Sequence, residues 1–147
     1  MSAEQIFSLL NIVAVAAWLL LAVLPRRRWV AETVAGVVVP ALLAAVYVGI
    51  VVMEWGDSAG GFSSLAEVAL LFQNPWMLLA GWTHYLAFDL LVGSWEARDA
   101  GPRGLPHLLL LPCLALTFLF GPAGWLFYMA LRTGHARYRG NLAAKSS

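Results

Sequence analysis

Charged side chains are scarce in this sequence. Asp, Glu, Lys and Arg make up 12% of its 147 residues, where a soluble domain carries about a quarter. Hydrophobic residues make up 61% and the mean hydropathy is +0.77, a balance that points to a bilayer as the solvent. Neither sign of charge dominates: nine Lys+Arg against eight Asp+Glu leave a net charge of +1. No global field therefore argues for a nucleic-acid partner. Cysteine is nearly absent, and the lone Cys113 sits in an apolar run. Within one chain that excludes a disulfide, a Cys-based zinc site and a Cys-ligated cluster. A basic n-region is missing before the first apolar run, because the arginines follow it instead, so the run is expected to stay in the mature protein. No long Ser/Arg-rich transit segment, internal repeat, heptad or low-complexity stretch stands out.

What is present is apolar runs of membrane length. Crossing the hydrocarbon takes about 20 helical residues, and four stretches qualify: 5–24, 30–53, 74–95 and 108–131. Strand alternation is absent and backbone groups in lipid must be satisfied internally, so helices are predicted. The expected fold is an all-α integral membrane protein, a single domain over residues 1–147. Its four transmembrane helices form a compact bundle, with a short interfacial helix at 65–72 between spans two and three. Trp29, Trp55, Trp76 and Trp95 fall at predicted ends, where an amphipathic ring suits the interface. Trp18, Trp82 and Trp125 lie deeper, as packing residues.

Arginines after spans one and three place those loops inside and the N-terminus outside. Four plain spans then leave the tail outside, although it carries Arg132, Arg137, Arg139 and Lys145. A re-entrant hairpin at Gly121-Pro122 would instead bring all nine basic residues to one side. Four plain spans are the reading taken here, since a short tail tolerates exceptions. Interior prolines also free carbonyls one turn earlier, Gly36 for Pro40, Leu108 for Pro112 and Phe118 for Pro122. Each needs a donor in a membrane.

Ionisable groups inside a span are costly and usually face the bundle interior. Asp89 lies about 9 Å from the inner end of span three, at 1.5 Å per residue. Tyr85, four residues earlier, shares its face. His84 is near mid-membrane, but five residues turn it about 140° away from Asp89. Cys113 and Thr117 of span four offer partners at matching depth, and Asp99 and His107 flank the short loop at the inner mouth. The expected site is a polar pocket between spans three and four in which a carboxyl can carry a proton and histidine is the second party. Bland roles compete: an ion pair of Asp89 with Arg98, a structural hydrogen bond for His84, loop polarity for His107, an interfacial ion pair for Glu32, apolar filling by Cys113. No metal is expected; Asp89, His84, Asp99 and His107 would form a ligand set only if the fold made them converge.

The blocks HYLAFDLLVGSW (His84–Trp95) and PCLALTFLFGPAG (Pro112–Gly124), joined by a short loop with Asp99 and His107, resemble the ABA4-like family. Its plant members are associated with making neoxanthin from violaxanthin in the plastid. The resemblance implies a small multi-pass membrane protein acting in carotenoid or related isoprenoid chemistry. In the plant reaction an epoxide opens and a neighbouring C–H is lost to give an allene, an isomerisation that needs an acid and a base and no redox cofactor. Carried over, Asp89 and His84 lead as the acid/base pair, with Tyr85, His107 and Asp99 beside them. Trp82, Phe88, Cys113, Thr117 and Phe118 would line the ligand. Without a plastid transit segment the chain is expected to be a bacterial member in the inner membrane, with a substrate other than violaxanthin open. Expected partners are membrane lipid and an apolar isoprenoid or carotenoid, with a homo-oligomer left open. Two further readings stay open: a non-catalytic carotenoid-binding or assembly subunit, and a small transporter or proton path that would need an oligomer.

Overall fold

A computed structural model describes residues 1–56 and 58–145. Every regular element among them is helical. Helix α1 (Ala3–Val23) opens on a capping box, in which the Ser2 hydroxyl accepts from the Gln5 N–H while the Gln5 side chain accepts from the Ser2 N–H. Together the two satisfy amide hydrogens that a helix start leaves over. After Pro25 and the arginines the chain re-enters as a π-helical stretch, Trp29–Val38, continuous with α2 (Val39–Glu54). Pro40 accounts for the wide register. It has no N–H and its ring collides with the carbonyl one turn back, so the chain before it bonds one residue further, as Val39 N–H does to Val34.

Helix α3 (Leu65–Leu71) is a short cap in the predicted place, started by the Ser64 side chain on the Glu67 N–H. Helix α4 (Pro75–Ala100) starts with Asn74 accepting from the Trp76 N–H, and Pro75 occupies the first position, where its missing N–H costs nothing. It runs past the predicted end at Trp95 and takes Glu96 and Asp99 into the helix. All the other long helices pack on α4. The Trp18 indole lies on Gly93, where any Cβ would collide with the ring.

The fourth predicted span is corrected by the structure. It is two helices, α5 (His107–Phe120) and α6 (Pro122–Lys145), reversed at Gly121. Gly121 has φ +38°, a left-handed conformation that favours glycine, and Pro122 cannot continue the α5 ladder. Gly124 then lets α6 lie on α5, its missing side chain leaving room for the Thr117 backbone. Farther along α6, Tyr128 and Arg132 reach Asp99 at the end of α4, so α6 returns to the side from which α5 started. The hairpin alternative, not four plain spans, describes this segment.

Two helical stretches, Ala3–Val23 and Trp29–Glu54, are long and apolar enough to cross a membrane, each with hydropathy 2.5; α5 is apolar but shorter. Outward faces carry exposed Leu9, Ile12, Leu19, Val48, Val52, Leu119 and Phe120, more apolar surface than water-facing helices tolerate. One core cluster, around Leu10, Leu43, Leu79 and Leu86, fills the end near α3. The other, around Trp18, Val30, Leu90, Leu114 and Tyr128, fills the arginine end.

Gly124→Ala is expected to cost about 1–3 kcal/mol by overpacking the hairpin. Gly134→Ala, where a Cβ meets nothing within 4 Å, should be neutral or stabilising by up to about 1 kcal/mol. Thermal unfolding of the two detergent-solubilised variants checks both; equal melting temperatures would refute the close α5–α6 contact.

Candidate functional site

Residues four, seven and three apart along α4, namely Tyr85, Asp89, Glu96 and Asp99, return to one side of a helix with 3.6 residues per turn. That side faces the α5–α6 hairpin. Asp89 is 9% exposed and lies under the reversal, where a Cβ on Gly121 would come within 2.7 Å of its Oδ1. Its Oδ2 is buried without a hydrogen-bond partner among the described residues. The N-terminus of α6 begins one residue after Gly121, and the unpaired N–H groups of a helix start favour a neighbouring negative charge. The Tyr85 hydroxyl lies beside the Asp89 carboxyl and donates to the Phe118 carbonyl at 3.2 Å. That carbonyl is the one Pro122 leaves free, so one of the three proline-freed acceptors has its donor.

Two turns on from Asp89, Glu96 is completely buried. Its Oε1 accepts from the Thr117 hydroxyl at 2.9 Å, while Oε2 has no hydrogen-bond partner among the described residues. An anion with one neutral donor is costly in such a place. The sequence reading passed over Glu96 because it placed the end of the span at Trp95. The signal was there, since Glu96 is seven residues after Asp89 and so on the same face. Thr117 thus meets Glu96, not Asp89. Cys113, one turn before Thr117, is buried and donates to the Leu109 carbonyl at 3.3 Å. Ser94 is also buried, with its Oγ unpartnered and close to Gly36 of the π-helical stretch.

Asp99 is taken up by structure. It accepts from Arg103 Nε at 2.7 Å and from the Tyr128 hydroxyl at 2.7 Å, and pairs with Arg132 Nε at 2.9 Å. Burial pushes its carboxyl up, but the bonds from Arg103 and Tyr128 and the charges of Arg103 and Arg132 outweigh that and hold it below the usual carboxylate range. This network ties α6 to α4.

The remaining predicted residues lie apart. His84 is exposed on another side of α4, its ring 4.5 Å from Phe88 and 5.7 Å from Tyr47. It borders a groove of 230 Å³ with Tyr47, Trp55, Phe62 and Phe72. His84 and Asp89 do not form a pair, as their angular separation foretold. His107 starts α5 beside Arg26 and Arg27. The suggested metal set does not converge, and among the described residues no three His, Cys, Asp or Glu gather to hold an ion. The proposed ligand lining is dispersed as well. Trp82 bonds Asn11 at 3.2 Å and stacks near Phe7, Phe88 faces outward, Phe118 meets Trp18 edge-on, and Cys113 and Thr117 are core.

The chain matches the model of the family described as ABA4-like (ABA DEFICIENT 4-like) over residues 5–128. It belongs to the ABA4-like family. The match takes in α4, α5 and the start of α6 up to Tyr128, and so the whole carboxylate face. No curated protein and no solved structure matches.

Two measurements follow for this member of the family. The Asp99 carboxyl is depressed in the folded state, so its stabilisation is present above the ordinary carboxylate value near pH ~3.9 and is lost as pH falls through the lower folded value. Melting temperature should therefore drop on acidification below about pH 4, and Asp99→Asn should start lower at neutral pH and show a flatter acid limb. Thr117→Val removes the single donor to Glu96 and is expected to cost about 1–3 kcal/mol, whereas Thr117→Ser should be mild; equal losses would assign the effect to shape instead.

Proposed function

We propose that this is a multi-pass membrane protein carrying out an acid/base isomerisation of a carotenoid or related isoprenoid, with Asp89 and Tyr85 as the reacting pair. In this reading α1, the Trp29–Glu54 helix and α4 cross the bilayer, and α5–α6 dips in and returns. The 14 residues of α5 span about 21 Å of a hydrocarbon layer roughly 30 Å thick, so the reversal at Gly121 ends within it. Arg132 and Arg139 of α6 lie against Asp99 and the Arg103 carbonyl, and Arg26 and Arg28 share a cleft with Arg98. These arginines thus share one end, which is cytoplasmic by the positive-inside rule. A bacterial inner membrane is the setting taken.

The observation that carries the chemistry is the Asp89 carboxyl, nine-tenths buried with an unpartnered oxygen and a phenol beside it. Ionisable groups at such depth are rare and tied to function. A carboxylate base with a neutral hydroxyl donor is a working pair for proton transfer. Tyr85 gives its proton to the epoxide oxygen as the C–O bond breaks. Asp89 takes the proton of the neighbouring C–H, whose electron pair becomes the new double bond. Asp89 then returns that proton to Tyr85, so the sum is an isomerisation with no redox step. His84, placed first beside Asp89 on the resemblance, is not in this pair because it faces another side.

A second reading is favoured by the aromatic groove at His84 and Tyr47, which is lined among the described residues by aromatic and apolar side chains and no carboxylate. It suits a carotenoid- or lipid-binding subunit without catalysis.

Expression in carotenoid-producing cells, with extraction of pigments and of the purified protein, separates the two. An enzyme yields a new isomer, and Asp89→Asn and Tyr85→Phe each lower it by about 100-fold or more. An unaltered pigment that co-purifies, and is lost in Tyr47→Ala, supports the binding subunit and sinks the isomerase.

A further inference from the structure

The arginine end has a concave surface that neither reading uses. A cleft of about 640 Å³ lies between the segment joining α1 to the π-helical stretch and the end of α4, bordered by Arg26, Arg28, Glu32, Arg98 and Gly104. A second hollow shares Pro25 and Arg26 with it and adds Arg27 and His107. The volume falls in the roughly 300–1,000 Å³ span of small-molecule sites.

The charge is concentrated and largely unneutralised. Among the described residues Glu32 is the one carboxylate bordering the cleft, and Arg28 Nε already holds it at 2.9 Å. Arg98 directs Nε to the Ser94 carbonyl at 3.3 Å, which leaves its terminal nitrogens available. Among the described residues Arg26, Arg27 and Arg98 make no ion pair, whereas the neighbouring Arg103 and Arg132 share Asp99. Arginines on one continuous segment are ordinarily a solvated run. Here Arg98 comes from a distant part of the chain and closes the other wall, and Gly101, Pro102 and Gly104 leave the space between them open. Guanidinium forks from two walls match the oxygens of a phosphate. The second hollow is also bordered by the exposed apolar Val23, and the exposed Trp29 follows Arg28 in the chain, so the group bound carries an apolar tail beside it.

We infer that this cleft is a binding site for the terminal phosphate monoester headgroup of a membrane amphiphile. The inference rests on the membrane placement proposed above and is independent of the isomerase chemistry.

The test uses the full chain in neutral detergent, with dioleoyl phosphatidic acid, dioleoyl phosphatidylcholine and inorganic pyrophosphate as probes, read by native mass spectrometry and Trp fluorescence. Phosphatidic acid is expected to bind and phosphatidylcholine not. The doubly substituted Arg26→Gln/Arg98→Gln protein should bind phosphatidic acid about tenfold more weakly or worse. Arg26→Lys/Arg98→Lys, which keeps the charge and loses the forks, should fall between. Arg137→Gln, a loss of charge elsewhere on α6, should stay within about twofold. The three arginines bordering the cleft and the neighbouring Arg27 are exposed, and a melting temperature for each variant verifies that the fold persists. Equal binding of the two lipids, or unchanged binding by the double glutamine variant, overturns the site. So does an equal loss in Arg137→Gln, which would reveal general surface attraction. Pyrophosphate binding as tight as phosphatidic acid overturns the amphiphile and assigns a soluble anion. The pigment assay in the double variant keeps this result separate from the catalytic reading, since the isomer yield should not change.

Discussion

The reversal at Gly121 is the constraint on which the rest of the structure depends. A left-handed glycine followed by a proline ends α5 inside the helical assembly, and Gly124 lets α6 pack back along it. That single turn places a helix start over Asp89, gives the Phe118 carbonyl to Tyr85, and sets Thr117 against Glu96. It also returns Tyr128 and Arg132 to Asp99, where charge-assisted bonds tie the hairpin to α4. A straight helix over the same residues would have left all of these polar groups on α4 facing apolar side chains or lipid.

The distribution of charge follows from the same return. Arginines of the first loop, of α4 and its following loop, and of α6 meet at one end, while Glu54 and Glu67 lie at the end capped by α3. Between the ends the buried carboxyl groups, Asp89 and Glu96, lie on one face of α4. A face with two buried carboxyl groups against an apolar hairpin is expensive to maintain.

Much of the helical layout was legible. Apolar runs of membrane length marked α1, the Trp29–Glu54 helix and α4, and Ser2, Ser64 and Asn74 cap starts as their side chains allow. The pairing of Tyr85 with Asp89 on one face and the divergence of His84 followed from helical geometry alone. The end of α4 was not legible, because a Trp at position 95 reads as an interface marker while the helix continues on contacts from α6 and the first loop. Glu96 was lost with it. The role of Asp99 was not legible either: its partners Tyr128 and Arg132 lie a whole hairpin away in sequence, and no local pattern announces them.

By itself the sequence determined an apolar, all-helical chain and the family to which it belongs. Helicity and hydropathy depend on composition and on the 3.6-residue period, and the family on contiguous blocks of residues, all of which are local. Only the tertiary structure decided that the last apolar run folds back, that Glu96 rather than Asp89 meets Thr117, and that Arg98 faces Arg26 and Arg28 across a cleft. The physical reason lies at Gly121: glycine admits helical and left-handed backbone alike, so the choice between a kinked span and a hairpin is made by packing of Gly124 on α5 and by the ion pairs of Asp99, contacts that exist only when the chain is folded.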